Sequence, residues 1–174
     1  MTLKELCRKN NYTTDKGTTH TYLDVYDKLF KPFQNKKVNL LEVGIATGGS
    51  LKLWDDYFTK ATICGVDILS QEIYEYSDKV ILVHGDITKM QDVFGNIDIA
   101  IDDGSHFVKD QIAFIKLLWP IMNKGGLLII EDVFDIDNSK KDFDELNIPY
   151  EIIDMRENNV PDNVLILIRK CWHK

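Results

Sequence analysis

The stretch Tyr150–Lys170, YEIIDMRENNVPDNVLILIRK, decides how the rest of the chain is read. Two β-rich runs, Tyr150 to Arg156 and Val164 to Lys170, flank a turn carrying Pro161-Asp162-Asn163, and strands joined by so short a connection pair antiparallel. The chain before them predicts the opposite. Val38 to Gly44, Ala61 to Ile68, Val80 to Gly85, Ile97 to Asp102 and Gly126 to Val133 are nearly continuous in Val, Ile and Leu, as strands buried on both faces require. They alternate with helical runs, which predicts a parallel sheet covered by helices. The expected fold is α/β: a Rossmann-like three-layer sandwich around a seven-stranded, mostly parallel sheet with an antiparallel last strand. A dinucleotide-binding sheet is usually parallel throughout, so the reversed strand argues against one.

Between the strands, Ser50 to Phe58 carries Leu51, Leu53, Trp54, Tyr57 and Phe58 at helical spacing, and Val108 to Met122 repeats the pattern with Ile112, Ile115, Leu118 and Trp119. Pro120 should kink or end the second helix. Further helices are expected at Ser70 to Tyr76, Thr88 to Phe94 and Ser139 to Leu146. With 174 residues, 44% of them hydrophobic, the chain suits a single compact domain. Its net charge of -7 offers no basic surface to nucleic acid or an anionic membrane, and favours a small uncharged substrate. Cys7, Cys64 and Cys171 are widely spaced and suggest neither a disulfide framework nor a zinc site. With no secretory-type apolar stretch and no run of the roughly 18 apolar residues of a membrane span, a soluble cytoplasmic protein is expected.

Two acidic clusters follow directly on apolar strands. Asp102-Asp103-Gly104-Ser105-His106 follows Ile97–Ile101, and Glu131-Asp132 follows Leu127–Ile130. Carboxylates gathered at one end of a sheet repel one another unless a cation sits among them, so a divalent metal with a base beside it is the economical reading. The alternatives are a helix cap for Asp103 and a solvated strand end for Glu131-Asp132. His106 is the best base if the metal is there; alone it would be an ordinary residue at a helix start. His20 either covers a ligand from the N-terminal segment or lies at the surface.

At the same sheet end, Glu42-Val43-Gly44-Ile45-Ala46-Thr47-Gly48-Gly49-Ser50 joins the first strand to the first helix with small residues, so its backbone can pass close beneath a ligand that meets the helix N-terminus. Asp67, 23 residues after Gly44 and followed by Ile68, can accept hydrogen bonds from both ribose hydroxyls. Asp86, followed by Ile87, ends the third strand within reach of an adenine edge. Together they indicate an adenosine-containing ligand. Ala46 stands where a dinucleotide fingerprint has its middle glycine, which would crowd a pyrophosphate. Lys16 and Gly17 are read either as part of a lid over that ligand or as an exposed turn.

With these residues the chain resembles class I S-adenosylmethionine-dependent methyltransferases over nearly its full length. More narrowly it resembles the metal-dependent sugar O-methyltransferases of macrolide biosynthesis, the mycinamicin and macrocin type. That match rests on Thr14-Asp15-Lys16-Gly17-Thr18-Thr19-His20, on Asp102 to His106 and on Glu131-Asp132. The resemblance implies S-adenosylmethionine and Mg²⁺ (or another divalent cation) as cofactors, Asp103, Glu131 and Asp132 as metal ligands and His106 as general base. It puts Glu42, Gly44, Ala46, Thr47, Gly48, Ser50, Asp67, Ile68, Asp86, Ile87 and Asp102 beside the cofactor, with Lys16 and Gly17 at the lid. Residues 1–37 would then be an N-terminal segment or lid and 38–174 the methyltransferase domain. The expected substrate is a sugar hydroxyl on a small molecule or glycan, with His20 and His106 near it; a homo-oligomer is compatible with this reading. A catechol or phenol O-methyltransferase, a non-catalytic S-adenosylmethionine-binding subunit and a nicotinamide oxidoreductase are the competing readings.

Overall fold

In the computed structural model, which describes residues 1–69, 73–90, 95–156 and 160–171, seven strands form one sheet. β1 (Lys37–Val43), β2 (Lys60–Asp67), β3 (Val80–His84), β4 (Ile97–Asp102) and β5 (Met122–Ile130) precede β6 (Glu151–Asp154) and β7 (Val164–Arg169). Their spatial order is β3-β2-β1-β4-β5-β7-β6. β7 runs antiparallel to both β5 and β6, while the pairs among β1 to β5 are parallel. The expected architecture, reversed last strand included, is the one that forms. Strand order turns back between β1 and β4, and the crevice at their carboxyl ends is where open α/β sheets bind ligands.

Strand side chains alternate between faces, and that alternation sorts the core into two layers. Leu40, Ile99, Ile101, Leu127, Ile129, Leu165 and Leu167 pack with α1 (Leu3–Asn10), α2 (Tyr22–Phe30) and α3 (Gly49–Tyr57). Leu41, Ala100, Leu128, Ile130, Val164, Ile166 and Ile168 pack with α4 (Val108–Leu118) and α5 (Ile136–Asp144).

The N-terminal segment is more built than a polar lid. α1 opens on a capping box in which Thr2 accepts from the Glu5 N–H and Glu5 from the Thr2 N–H. α2 buries Tyr22, Leu23, Tyr26 and Phe30 in the first core layer. The signals for both helices, the Thr2-Glu5 pair and apolar residues at 22, 23, 26 and 30, are present in the sequence.

Other boundaries differ for physical reasons. α4 stops at Leu118 and Pro120, which lacks an N–H, lies in a 3₁₀ turn at Trp119–Ile121, so β5 begins at Met122 rather than Gly126. Residues 73–76 form no helix: the Ile73 N–H bonds the Thr47 carbonyl, Tyr74 Oη accepts from Thr13 N, and Ser77 N donates to Asp55. The strip is laid along the β1–α3 turn instead. In the described part of the expected helix at Thr88 to Phe94, a 3₁₀ turn at Ile87–Lys89 forms. Residues 70–72 and 91–94, with Trp172 and His173, lie outside the described residues. α5 begins at Ile136, ahead of the expected Ser139, and ends at Asp144.

All three cysteines are free thiols. Burial pushes Cys64 up to about 11 and raises Cys7, the latter opposed by Arg8; Cys171 is exposed. Because the thiolate is the reactive form, Ellman's reagent at pH 8 should titrate Cys171 promptly and the other two only after denaturation. Two or three fast thiols in the native protein would contradict this packing.

Candidate active site

The β1–α3 turn is shaped by backbone proximity. Gly44, at φ +83°, lies so close to β4 that a Cβ there would sit 1.8 Å from the Asp103 carbonyl oxygen. The following Ala46 is also left-handed, at φ 44°, a conformation that costs a residue with a Cβ. Asp67 holds the turn: its Oδ2 accepts from Ile45 N (2.8 Å) and Ala46 N (3.0 Å), and its Oδ1 from Leu69 N (2.8 Å). Burial opposes its charge, but these backbone N–H groups outweigh it and keep its pKa below the usual carboxylate value.

Above the turn lies a cleft of about 720 Å³, within the usual range for small-molecule sites. Gly44, Ala46, Thr47, Ser50, Asp67, Ile68, Asp86, Ile87 and Asp102 all line it, with Asp103 and His106 at the same wall. Asp86 also caps the following 3₁₀ turn through Thr88 N (3.0 Å). Burial raises Asp102 to about 7, against a hydrogen bond from Gly104 N. Sequence reasoning missed Thr13, Thr14 and Asp15, which form another part of the wall, along with Gly85, Thr88, Asp110 and Phe114.

Four residues expected at the cofactor lie elsewhere. Gly48 caps α3 in a left-handed conformation and does not line the cleft. Gly17 packs against Leu23, where a Cβ would meet Leu23 Cδ1 at 2.5 Å. Glu42 and Lys16 are fully buried beneath the cleft. The reason for Glu42 is strand alternation: with Leu40 it faces the α1–α3 layer, where Trp54 Nε1 donates to its Oε2 (2.8 Å).

The same alternation explains the acid cluster. Val43 pairs with Asp102 and Asp102 with Ile130, and bonds from Asp103 N to the Val43 carbonyl and from Glu131 N to the Asp102 carbonyl carry the ladder one residue further. Residues 42, 103 and 131 thus share the face of Leu40, Ile101 and Ile129. Into their midst comes Lys16 from the N-terminal segment, its Nζ 2.6 Å from Asp103 Oδ2, 2.8 Å from Glu131 Oε2 and 3.3 Å from Glu42 Oε1. Burial opposes the ammonium charge, but Asp103, Glu131 and Glu42 overcome it and hold Lys16 protonated. Glu131 Oε1 accepts from Tyr26 Oη at 2.6 Å, so both of its oxygens are engaged.

Asp132 goes the other way. It is left-handed at φ 52°, as is His106 at φ 60°, and such backbone strain clusters at functional sites. His106 Nε2 lies 3.5 Å from both Asp103 Oδ1 and Asp132 Oδ2, chiefly through the Asp103 interaction, and against burial, the imidazole is raised to about 9. Asp132 Oδ1 accepts from Tyr22 Oη (2.6 Å) and faces His20 Nε2 at 3.5 Å. His20 is buried and stacked on Tyr22, not a surface residue.

The expected metal triad is therefore divided. Asp103, His106 and Asp132 bring donor atoms within 4.8 Å of one another, as do Glu42, Asp103 and Glu131, but among the described residues no such group joins Asp103, Glu131 and Asp132. Asp103 and Asp132 present carboxylate oxygens beside His106, a donor set that suits a hard divalent cation. Glu131 is committed to Lys16 and Tyr26.

No protein-family model matches the chain. It is 35% identical over 133 residues to 8-demethyl-8-alpha-L-rhamnosyl tetracenomycin-C 2'-O-methyltransferase of Streptomyces olivaceus, covering 69% of this chain and 35% of that protein. It is 30% identical over 178 residues to demethylmacrocin O-methyltransferase of Streptomyces fradiae, covering 88% and 45%. The chain thus spans less than half the length of these relatives. In three dimensions it is similar to the mycinamycin-pathway methyltransferase MycE solved with Mg, SAH and mycinamycin VI, at a TM-score of 0.78 and 23% identity, covering 98% of this chain and 55% of that one.

Proposed function

The chain belongs with the class I S-adenosylmethionine-dependent methyltransferases and is homologous to sugar O-methyltransferases of antibiotic pathways; on that premise we propose that it transfers a methyl group from S-adenosylmethionine to a sugar hydroxyl, with a divalent cation such as Mg²⁺. The observation that carries this reading is that Asp103 and His106, on the wall of a cleft lined by Asp67 and Asp86, are juxtaposed with the buried Asp132.

Asp67 and Asp86 would take the ribose and adenine ends of the cofactor, and the β1–α3 turn its amino-acid end. Asp103 and Asp132 would hold the metal, with Glu131 on the neighbouring strand end engaged by Lys16 and Tyr26. A bound divalent cation lowers the pKa of a coordinated hydroxyl and fixes its position. His106 Nε2 then accepts the hydroxyl proton. A base must first be neutral, and the carboxylates that raise His106, Asp103 and Asp132, are the ones whose charge the metal would offset. The methyl group is already activated by the sulfonium, so the remaining work is alignment.

The test is methyl transfer from labelled S-adenosylmethionine to free, nucleotide-linked and glycosidic deoxysugars, with a catechol in parallel. Transfer to a sugar should require Mg²⁺ and stop in excess EDTA, while S-adenosylhomocysteine still binds by calorimetry. Full turnover in EDTA would reject the metal role; transfer to the catechol alone would reject the sugar.

Among the described residues no helix is long and apolar enough to cross a membrane.

A further inference from the structure

Lys16 Nζ is surrounded by oxygens from the ends of three adjacent strands, Glu42 Oε1, Asp103 Oδ2 and Glu131 Oε2, at 2.6 to 3.3 Å. Three carboxylate oxygens converging on one point form the donor set of a hard-cation site. Glu42 Oε1 is fully buried and accepts no hydrogen bond, so the Lys16 ammonium 3.3 Å away is the cation that faces it. A carboxylate oxygen left so far from water is costly unless a cation faces it.

We infer that Lys16 is a tethered cation filling an inner ion site, so that a divalent ion is confined to the outer side of the acid cluster, by Asp103 Oδ1 and Asp132. The inference rests on the proposed reaction only for that outer ion. An ion at the inner position would be sealed beneath the cleft, away from any substrate. An ammonium there neutralises the acids without competing for a hydroxyl. Because Lys16 lies in the turn Asp15–Gly17, next to Thr13, Thr14 and Asp15 on the cleft wall, the same ion pairs fasten that wall to the cluster. Lys16 is thus a positioning residue.

The experiment counts Mn²⁺ bound per full-length chain, from the electron paramagnetic resonance of the free ion. Lys16→Ala opens the inner position and should bind one more Mn²⁺ than the wild type, with a larger rise in Tm on adding the metal. Lys16→Met fills the same space without charge and should gain none. Adding Asp132→Asn removes the outer ion, so Lys16→Ala/Asp132→Asn should keep one and Asp132→Asn alone should bind none. A wild-type count of zero would defeat the outer metal site while leaving the increment in Lys16→Ala to decide this inference. No increment would overturn it, unless the double variant still holds the inner ion that Asp132→Asn lacks. If Lys16→Ala does not fold without metal, refolding with Mn²⁺ but not Na⁺ supports the inference, and failure with both overturns it.

Discussion

His106→Ala is expected to cut turnover by roughly 100-fold or more, the usual contribution of a general base, while leaving S-adenosylhomocysteine affinity within about twofold, a change below ~0.5 kcal/mol. The asymmetry follows from position. His106 is on the wall of the cleft, 3.5 Å from Asp103 and Asp132, whereas Asp67 and Asp86, which would take the nucleoside, stand at the end of β2 and just past the end of β3. Its left-handed backbone makes alanine no easier to accommodate, so the comparison should include His106→Asn, which tolerates that conformation better. Both variants should lose turnover alike. Wild-type turnover in either would move the base elsewhere; a parallel loss of cofactor binding would mean that the loop, and not the imidazole, had been damaged.

Trp54→Ala is expected to destabilise the protein by about 3–5 kcal/mol, the range for truncating a buried Trp. For a chain of this size that lowers Tm by roughly 10 °C, at ~2–4 °C per kcal/mol. Trp54 is fully buried and meets Tyr26 and Phe30 edge-on, with ring centroids 5.7 and 5.4 Å away. Its Nε1 is also the donor to Glu42 Oε2, so the substitution leaves a buried carboxylate with one partner fewer, which adds to the cavity term. Trp54→Phe keeps most of the volume and should recover part of the loss. A fall in Tm of less than about 3 °C for the alanine variant, in thermal unfolding followed by circular dichroism, would show that this aromatic cluster is not the support of the acid site.

The two substitutions probe different ends of one arrangement. Trp54 steadies Glu42, Glu42 faces Lys16, Lys16 bonds Asp103, and Asp103 lies beside His106. Chemistry at the cleft is thereby linked to packing in the layer of α1, α2 and α3, so part of the Trp54→Ala effect should reach Mn²⁺ affinity at the outer site.

Local pattern alone determined the strands, the reversal of β7 and the gathering of Asp67, Asp86, Asp102, Asp103 and His106 at one edge, because burial on both faces, short connections and strand-end acids are each written in consecutive residues. The alternation that turns Glu42, Asp103 and Glu131 to one face is legible too, in the parity of their positions along the strands. Only the tertiary structure decided that Lys16, far away in the chain, supplies their counter-charge, that Glu131 is taken up by Lys16 and Tyr26, and that Asp132 joins His106 instead. Those pairings depend on how the N-terminal segment packs across the sheet and on left-handed turns at His106 and Asp132, and long-range packing of that kind leaves no periodicity in a sequence to be read.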